Sequence, residues 1–336
     1  MRAHPATHEN DERTIQVVGT GIGMEKVGVS QHKAARQQTS ELVINWHITE
    51  ACNYSCKYCY ASWQRADKEV VHHSSDVVKM LQDLHNFFSP DNPFNPLRQV
   101  MDWQSVRLNL AGGEPLLYPS RVLDIVQTAR KIGFSTSLIT NASLLTPELA
   151  RTLAPELSIL GVSMDSASER QNLLIGRSEK GGVTLSPKTM SKVLTEARLS
   201  NPRIEVKINT VVNAINCGDD MSSLIQQLAP QRWKVLRMLP LATTDLSVSD
   251  VDFQGFLTRH HNLADVMCVE DNLDMVESYL MIDPHGRFFQ NTISQAMYRY
   301  SRKILEVGAA RAFSEITIEP EKFCARYTAS TFQEAA

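Results

Sequence analysis

From residue 41 onward, short apolar runs alternate with longer amphipathic stretches, the arrangement that βα units around a parallel sheet produce. Apolar runs at 42–48, 105–111, 134–140, 157–163, 204–212 and 233–239 predict strands. Apolar residues at helical spacing predict helices near 74–89, 119–132, 146–154, 187–199 and 219–229. Ser89-Pro90-Asp91-Asn92-Pro93-Phe94-Asn95-Pro96 is a loop, punctuated by prolines and turn residues. Residues 1–40 are polar and mixed, with only 14–19 and 27–29 resembling short strands, and predict a partly flexible N-terminal extension. The core domain is expected over 41–240, with 241–336 as a C-terminal extension that closes the site.

At 336 residues and 43% hydrophobic content, the chain is long enough to bury a full core. A net charge of −3 gives no reason to expect nucleic-acid binding, although a compact anionic ligand needs only a local basic pocket. No apolar run approaches the roughly 20 residues that span a bilayer. Met1-Arg2-Ala3-His4-Pro5 lacks the apolar segment of a secretory signal, so a cytoplasmic protein away from membranes is expected. Cys217, Cys268 and Cys324 are scattered and fit small buried hydrophobes.

The remaining cysteines change the picture. Cys52, Cys56 and Cys59 stand at C-x3-C-x2-C spacing directly after the first strand. Thiolates are soft ligands for iron–sulfur clusters, which ordinarily take four cysteines. Three would hold a [4Fe–4S] cube and leave one iron open to a small molecule. A structural zinc site wants four ligands, and His47, His72 and His73 stand at no familiar zinc spacing. Three clustered cysteines cannot all pair as disulfides. The pattern resembles that of the radical S-adenosylmethionine (SAM) enzymes, in which SAM chelates the open iron and one electron cleaves it to a 5′-deoxyadenosyl radical. That resemblance implies a partial (β/α)6 TIM-type barrel with N- and C-terminal extensions. Ligands in such barrels bind at the C-terminal strand ends, where the notable residues are expected.

The second strand runs into Gly112-Gly113-Glu114-Pro115. Glycines let backbone approach a ligand closely, and an adjacent carboxylate can accept from an ammonium group. One βα unit after the cysteines, this string resembles the motif that holds the methionyl amine of SAM. The resemblance adds Tyr58 and Ser163 as SAM contacts. Asn141 and the Ser163-Met164-Asp165-Ser166 segment end strands with polar groups, which also suits helix capping. Arg177, Lys207, Arg232 and Lys234 lie at or just after predicted strand ends. In 204–212, alternation puts Glu205, Lys207 and Asn209 on one face. A charge inside such a run is paired, with Glu205 or Asp165, or faces a polar cavity. Several converging cations call for a polyanion, usually phosphate.

Six strings occur in order: Cys52-Asn53-Tyr54-x-Cys56-x-x-Cys59, Asn109-x-x-Gly112-Gly113-Glu114-Pro115, Asn172-x-Leu174-Ile175-Gly176-Arg177, Lys207-Ile208-Asn209, Arg232-Trp233-Lys234-Val235 and Ser278-Tyr279-Leu280. Together, over about 42 to 325, they resemble the prokaryotic members of the viperin family. The resemblance implies a 3′-deoxy-3′,4′-didehydro-nucleotide (ddhNTP) synthase acting on CTP, UTP or GTP in antiviral defence. Its cofactors would be a [4Fe–4S] cluster and SAM. Its partners would be the nucleoside triphosphate and an external flavodoxin- or ferredoxin-type reductant, with the protein a monomer. It assigns Arg177, Lys207, Asn209, Arg232 and Lys234 to the substrate, with Asn141 nearby. It makes Tyr279 and Lys234 the catalytic residues, Tyr279 lying at the ribose to supply a proton or hydrogen atom late in the reaction. Arg107 and Ala111 depart from the Lys and Ser of animal relatives, and the stretch after Ile316 matches least. One rival is a radical SAM peptide- or protein-modifying enzyme, against which the isolated Cys268 and Cys324 argue. The other is a non-catalytic sensor that keeps the cluster fold.

Overall fold

Alternation along each strand decides what the sheet presents to either side. The computed structural model describes residues 36–59, 69–240, 243–292 and 295–328. In β1 (Gln37–His47), Leu42, Ile44 and Trp46 are buried in the main core cluster, whereas Glu41, Asn45 and His47 face the opposite way, into a cavity. The rule repeats along β2 (Met101–Ala111), β3 (Ser135–Thr140), β4 (Ile159–Ser163), β5 (Glu205–Val212) and β6 (Arg232–Arg237). On β5, Val206 and Ile208 enter the core, and Lys207 and Asn209 enter the cavity. Period-two patterning thus gives an oily outer face and a mixed inner one that carries the strands' polar and charged side chains beside Val43, Ile139 and Val211.

All six predicted strands are present. The helices α1 (Ser74–Phe88), α2 (Pro119–Ile132), α3 (Pro147–Leu153), α4 (Glu169–Ile175), α5 (Pro187–Ser200) and α6 (Ser222–Leu228) fall between them. In α1, Val77, Met80, Leu81, Leu84 and Phe88 form the apolar stripe that packs on the sheet. The last predicted helix starts at Ser222 rather than 219, because the Asp220 carboxylate accepts from the Ser222 backbone N–H and stops the chain there. α4 was not foreseen, being only two turns long between the Ser168 cap and Gly176.

Beyond β6 come α7 (Asp250–Arg259), β7 (Met267–Glu270), β8 (Leu280–Ile282), β9 (Arg287–Thr292), β10 (Gln295–Lys303), α8 (Ile304–Val307), α9 (Ala309–Phe313) and α10 (Pro320–Thr328). The sheet order is β10-β9-β8-β1-β2-β3-β4-β5-β6-β7, parallel from β8 through β7 and antiparallel at β9 and β10. The apolar run 275–282 yields a strand only from Leu280, because Glu277 adopts a positive φ of 54° and breaks it.

The sheet is open but curled. β8 and β6 stand six places apart, about 28 Å in a flat sheet. Yet Lys234 on β6 donates to the hydroxyl of Tyr279, just before β8, at 2.7 Å. Only a partial barrel brings those strands face to face. α10 packs on β1, and its Arg326 reaches Glu270 on β7, bridging the open side. The described residues group as one compact unit. The predicted segments 14–19 and 27–29 lie outside the described residues. Among those described, no helix is long and apolar enough to cross a membrane.

Candidate active site

The inner face encloses one cavity of about 540 Å3, lined by Cys52, Cys56 and Cys59 as well as by Lys207, Arg232, Lys234 and Tyr279. Two constructions meet there.

The first is the cysteine loop after β1, which is held by backbone. Gly113 N donates to Thr49 O at 2.7 Å and Glu114 N to Ala51 O at 2.8 Å. On the other side, Ser55 N donates to Gly176 O at 3.2 Å and Lys57 N to Ile175 O at 3.0 Å. A Cβ on Gly113 would stand 2.2 Å from Ala51 O, and one on Gly176, whose φ is +88°, would stand 2.3 Å from Ser55 O. Both glycines are therefore required by close approach, not by flexibility.

None of the three cysteines forms a disulfide. Burial pushes the Cys56 thiol up to about 11 and the Cys52 thiol in the same direction. Arg177 Nη1 donates to Cys56 Sγ at 3.7 Å, and Asn141 Nδ2 to Cys52 Sγ at 3.8 Å, interactions that favour the thiolates a metal needs. Among the described residues, no three His, Cys, Asp or Glu side chains converge tightly enough for a single ion. An iron–sulfur cube is wider than an ion and takes each cysteine on a separate iron. Three cysteines outside any disulfide on one cavity wall, with donors to the Cys52 and Cys56 sulfurs, fit that group.

Glu114 does not line the cavity. Fully buried, its carboxylate accepts from Leu116 N at 2.9 Å, Thr140 Oγ1 at 2.6 Å and Asn141 N at 2.7 Å. Burial raises its pKa despite those bonds. It ties the ends of β2 and β3 behind the loop, while Gly112 and Gly113 present backbone to the cavity.

Arg177, expected among the phosphate-binding cations, lines the cavity with them and makes its hydrogen bonds beside the cysteine loop. It donates to Ser163 O at 2.7 Å and to the Tyr58 hydroxyl at 3.2 Å, and its Nε lies 3.5 Å from Asp165. Tyr58 in turn donates to Asp165. Burial and then the neighbouring Asp165 charge hold the Tyr58 hydroxyl protonated, well above its usual range. Asn141 also sits here, donating to Asn53 Oδ1 at 2.9 Å, rather than beside the other cations.

The second construction is made of side chains. Lys207 and Lys234 are each the third residue of their strands, and Arg232 is the first of its own. This corrects the expectation of strand-end positions: they point inward from the first half of β5 and β6, where alternation aims them. Lys207 forms no ion pair with Glu205 or Asp165, the latter being taken by Arg177 and Tyr58. Burial, then the charges of Lys234, Arg107 and Arg232, push its ammonium well below the ordinary lysine range. Lys234 meets Glu270 at 2.6 Å, and burial lowers it to about 8 despite that partner. Burial alone would raise Glu270, but Lys234 and Arg326 hold it down to about 2. Tyr279 donates to Glu270 at 2.5 Å and accepts from Lys234, with the Arg326 guanidinium 3.7 Å over its ring. On the β2 side, Arg107 pairs with Glu41 at 3.0 Å.

Between the two lies a polar floor. Asn109 donates to Asn45 at 2.9 Å and accepts from Ser137 at 2.7 Å. Asn209, 8% exposed, keeps a buried side-chain oxygen without a partner and lines the cavity. A buried orphan acceptor calls for a donor, such as a sugar hydroxyl.

Sequence reasoning missed Glu270 and Arg326. Glu270 ends a four-residue strand too short for a periodic signal, and Arg326 is an isolated cation in the last helix. Cys324 is buried as expected, but Cys217 and Cys268 are half-buried, and Cys268 lines the cavity.

A family described as the Radical SAM superfamily matches residues 46–212. Among curated relatives, the S-adenosylmethionine-dependent nucleotide dehydratase of Pseudoalteromonas ulvae is 43% identical over 289 residues, 85% of this chain and 93% of its own. The one from Psychrobacter lutiphocae is 38% identical, covering 88% and 98% respectively. Among solved structures, native anSMEcpe with bound AdoMet aligns with a TM-score of 0.59 at 16% identity over 87% of this chain and 84% of that one, a likeness of fold.

Proposed function

The chain belongs to the S-adenosylmethionine-dependent nucleotide dehydratases of the radical SAM superfamily, and we propose that it converts a ribonucleoside triphosphate into its 3′-deoxy-3′,4′-didehydro form. The observation that carries the reading is the shared cavity: three closely spaced cysteines and a group of crowded cations line the same 540 Å3 space. Cys52, Cys56 and Cys59 would hold a [4Fe–4S] cluster that, with SAM, would supply the radical chemistry for removing the ribose C4′ hydrogen; loss of the 3′-hydroxyl as water then takes up one electron from the external reductant and one proton.

The chain's own residues arrange the rest. Lys207, Lys234 and Arg232 repel one another until a triphosphate arrives, so binding relieves strain as well as making charge-assisted bonds. Arg107 completes that wall. Asn209 offers its orphan oxygen to a ribose hydroxyl. Gly112, Gly113, Tyr58 and Ser163 bound the neighbouring space for SAM, and Arg177 and Asn141 stabilise thiolates beside it. Tyr279 is poised to give a proton, its hydroxyl held between Lys234 and Glu270. A product without a 3′-hydroxyl cannot be extended in RNA, which suits an antiviral role.

On this reading the enzyme is a monomer supplied by an external one-electron reductant. The peptide-modifying alternative is not favoured: Cys268 and Cys324 join no other ligand cluster among the described residues. The test is anaerobically reconstituted protein with SAM, reductant and each nucleoside triphosphate in turn, read by mass spectrometry. A product lighter than its nucleotide by one water is expected. Formation of 5′-deoxyadenosine with no such product from any nucleotide would refute the reading. Tyr279→Phe keeps the ring and removes the hydroxyl, so it should still cleave SAM but yield less didehydro-nucleotide per SAM consumed. A yield equal to wild type at saturating nucleotide removes Tyr279 from the mechanism.

A further inference from the structure

We propose that the outer face of α4 and the turn that follows it is the docking face for a small acidic flavin protein of flavodoxin type, which delivers the electron to the cluster. Leu173, Leu174 and Val183 form its centre, and Lys57, Arg170 and Lys180 its rim. The inference rests on the radical SAM reading above, because only a buried redox group needs such a partner.

Position supports it first. The carbonyls of Ile175 and Gly176 accept from the backbone of Lys57 and Ser55, so the inner side of α4's last turn is the cysteine loop itself. Ile175 is fully buried, whereas Leu173 and Leu174 are 42% and 46% exposed. A helix with its side chains is about 10–12 Å across, so a partner on the outer face sits about one helix diameter from the loop. The turn adds Val183, 62% exposed, through Glu179 N donating to Val183 O at 2.9 Å. Gly182 lies against Leu173, as a Cβ built there would stand 3.5 Å from Leu173 Cδ2. A shallow depression lined by Ser168, Glu169, Arg170, Leu173 and Leu174 gives the face relief.

Charge selects the partner. Lys57, Arg170 and Lys180 are exposed and form no ion pair among the described residues, with Glu169 the exposed carboxylate beside them. On a chain of net charge −3, this cationic rim around an apolar centre complements an acidic protein. Opposite charge steers encounter, and the apolar centre gives a contact that sheds water. One electron passes from the carrier's reduced flavin to the oxidised cluster, and no covalent bond is made or broken in the transfer.

The test compares 5′-deoxyadenosine formation by the holoenzyme driven by reduced flavodoxin and by dithionite, at low and high salt. The charge reversal Arg170→Glu/Lys180→Glu and, separately, Leu174→Glu should lower the flavodoxin-driven rate at least about tenfold and leave the dithionite-driven rate unchanged. The wild-type flavodoxin-driven rate should fall with salt. Val251→Glu, 81% exposed on α7, should alter neither rate. Should Leu174→Glu lose both rates together, the charge reversal alone decides. Full flavodoxin-driven turnover by the charge-reversed enzyme overturns the proposal. So does loss of self-association in sedimentation with that turnover intact, which would give the face to a second copy of this chain. A wild-type enzyme inactive with dithionite would instead bring down the radical SAM reading and this proposal with it.

Discussion

The cysteine loop and the cationic wall occupy the same cavity but are built in opposite ways. Backbone holds the loop: glycines pressed against carbonyls on both flanks, every anchoring bond made, and Glu114 sealed behind it. Side chains alone make the cationic wall, with like charges crowded and Glu270 and Glu41 as counter-ions on either side. The loop is finished before any ligand arrives, as suits a resident group that must stay. The wall is left in electrostatic tension, as suits a charged visitor that must enter and leave. Coulomb repulsion between buried ammonium and guanidinium groups is stored where a polyanion can discharge it.

The largest effect should come from breaking the loop's backbone contact. Gly113→Ala places a methyl 2.2 Å from Ala51 O and 2.5 Å from Glu50 O, backbone atoms that cannot rotate away. Overpacking of this kind costs about 1–3 kcal/mol. Thermal unfolding should therefore shift down, and iron per chain after reconstitution should fall well below wild type. Full iron loading in a destabilised Gly113→Ala protein would show that the loop tolerates displacement and that the contrast is overstated.

The wall should respond in the opposite sense. Lys207→Met removes a crowded charge and keeps a chain of similar length, so the folded protein should gain stability. Nucleotide affinity should nevertheless fall at least about tenfold, since a charge-assisted bond contributes about 1.5–3 kcal/mol. Denaturant titration and nucleotide binding by calorimetry check the two halves. Lower stability with unchanged binding would make Lys207 a structural residue.

The smallest effect sharpens the same point through pH. In the free protein Lys234 titrates near 8, and Lys207 well below the usual lysine range. A triphosphate beside them raises both, so binding takes up protons. Affinity should then be highest below the free-state values and decline as pH rises through about 8, with proton uptake measurable in buffers of different ionisation heat. Affinity that rises with pH over that window would mean that the phosphates do not reach these lysines.

Legibility followed the same divide. The loop was open to reading because its needs are local: three cysteines within one turn of chain, and glycines where backbone must approach backbone. The six strands and five of the helices were legible from periodicity, and Lys207 stood out as a charge in an apolar run. The grouping of the cations was only half legible. Arg177 resembled its neighbours in charge, yet α4 turns it back to Cys56, Tyr58 and Asp165. Glu270 and Arg326 gave no signal, since neither sits in a pattern long enough to have a period.

By itself, then, the sequence determined the elements, the cysteine spacing and the oily outer and mixed inner face of each strand, because these depend on residues a few positions apart. Tertiary structure alone decided which charges meet. Lys234, Glu270, Tyr279 and Arg326 come from two strands, the approach to a third and the last helix, and they touch only because the sheet curls until β6 and β8 face each other. Curvature is a collective outcome of twist and packing over many strands, and no local period in the chain encodes it.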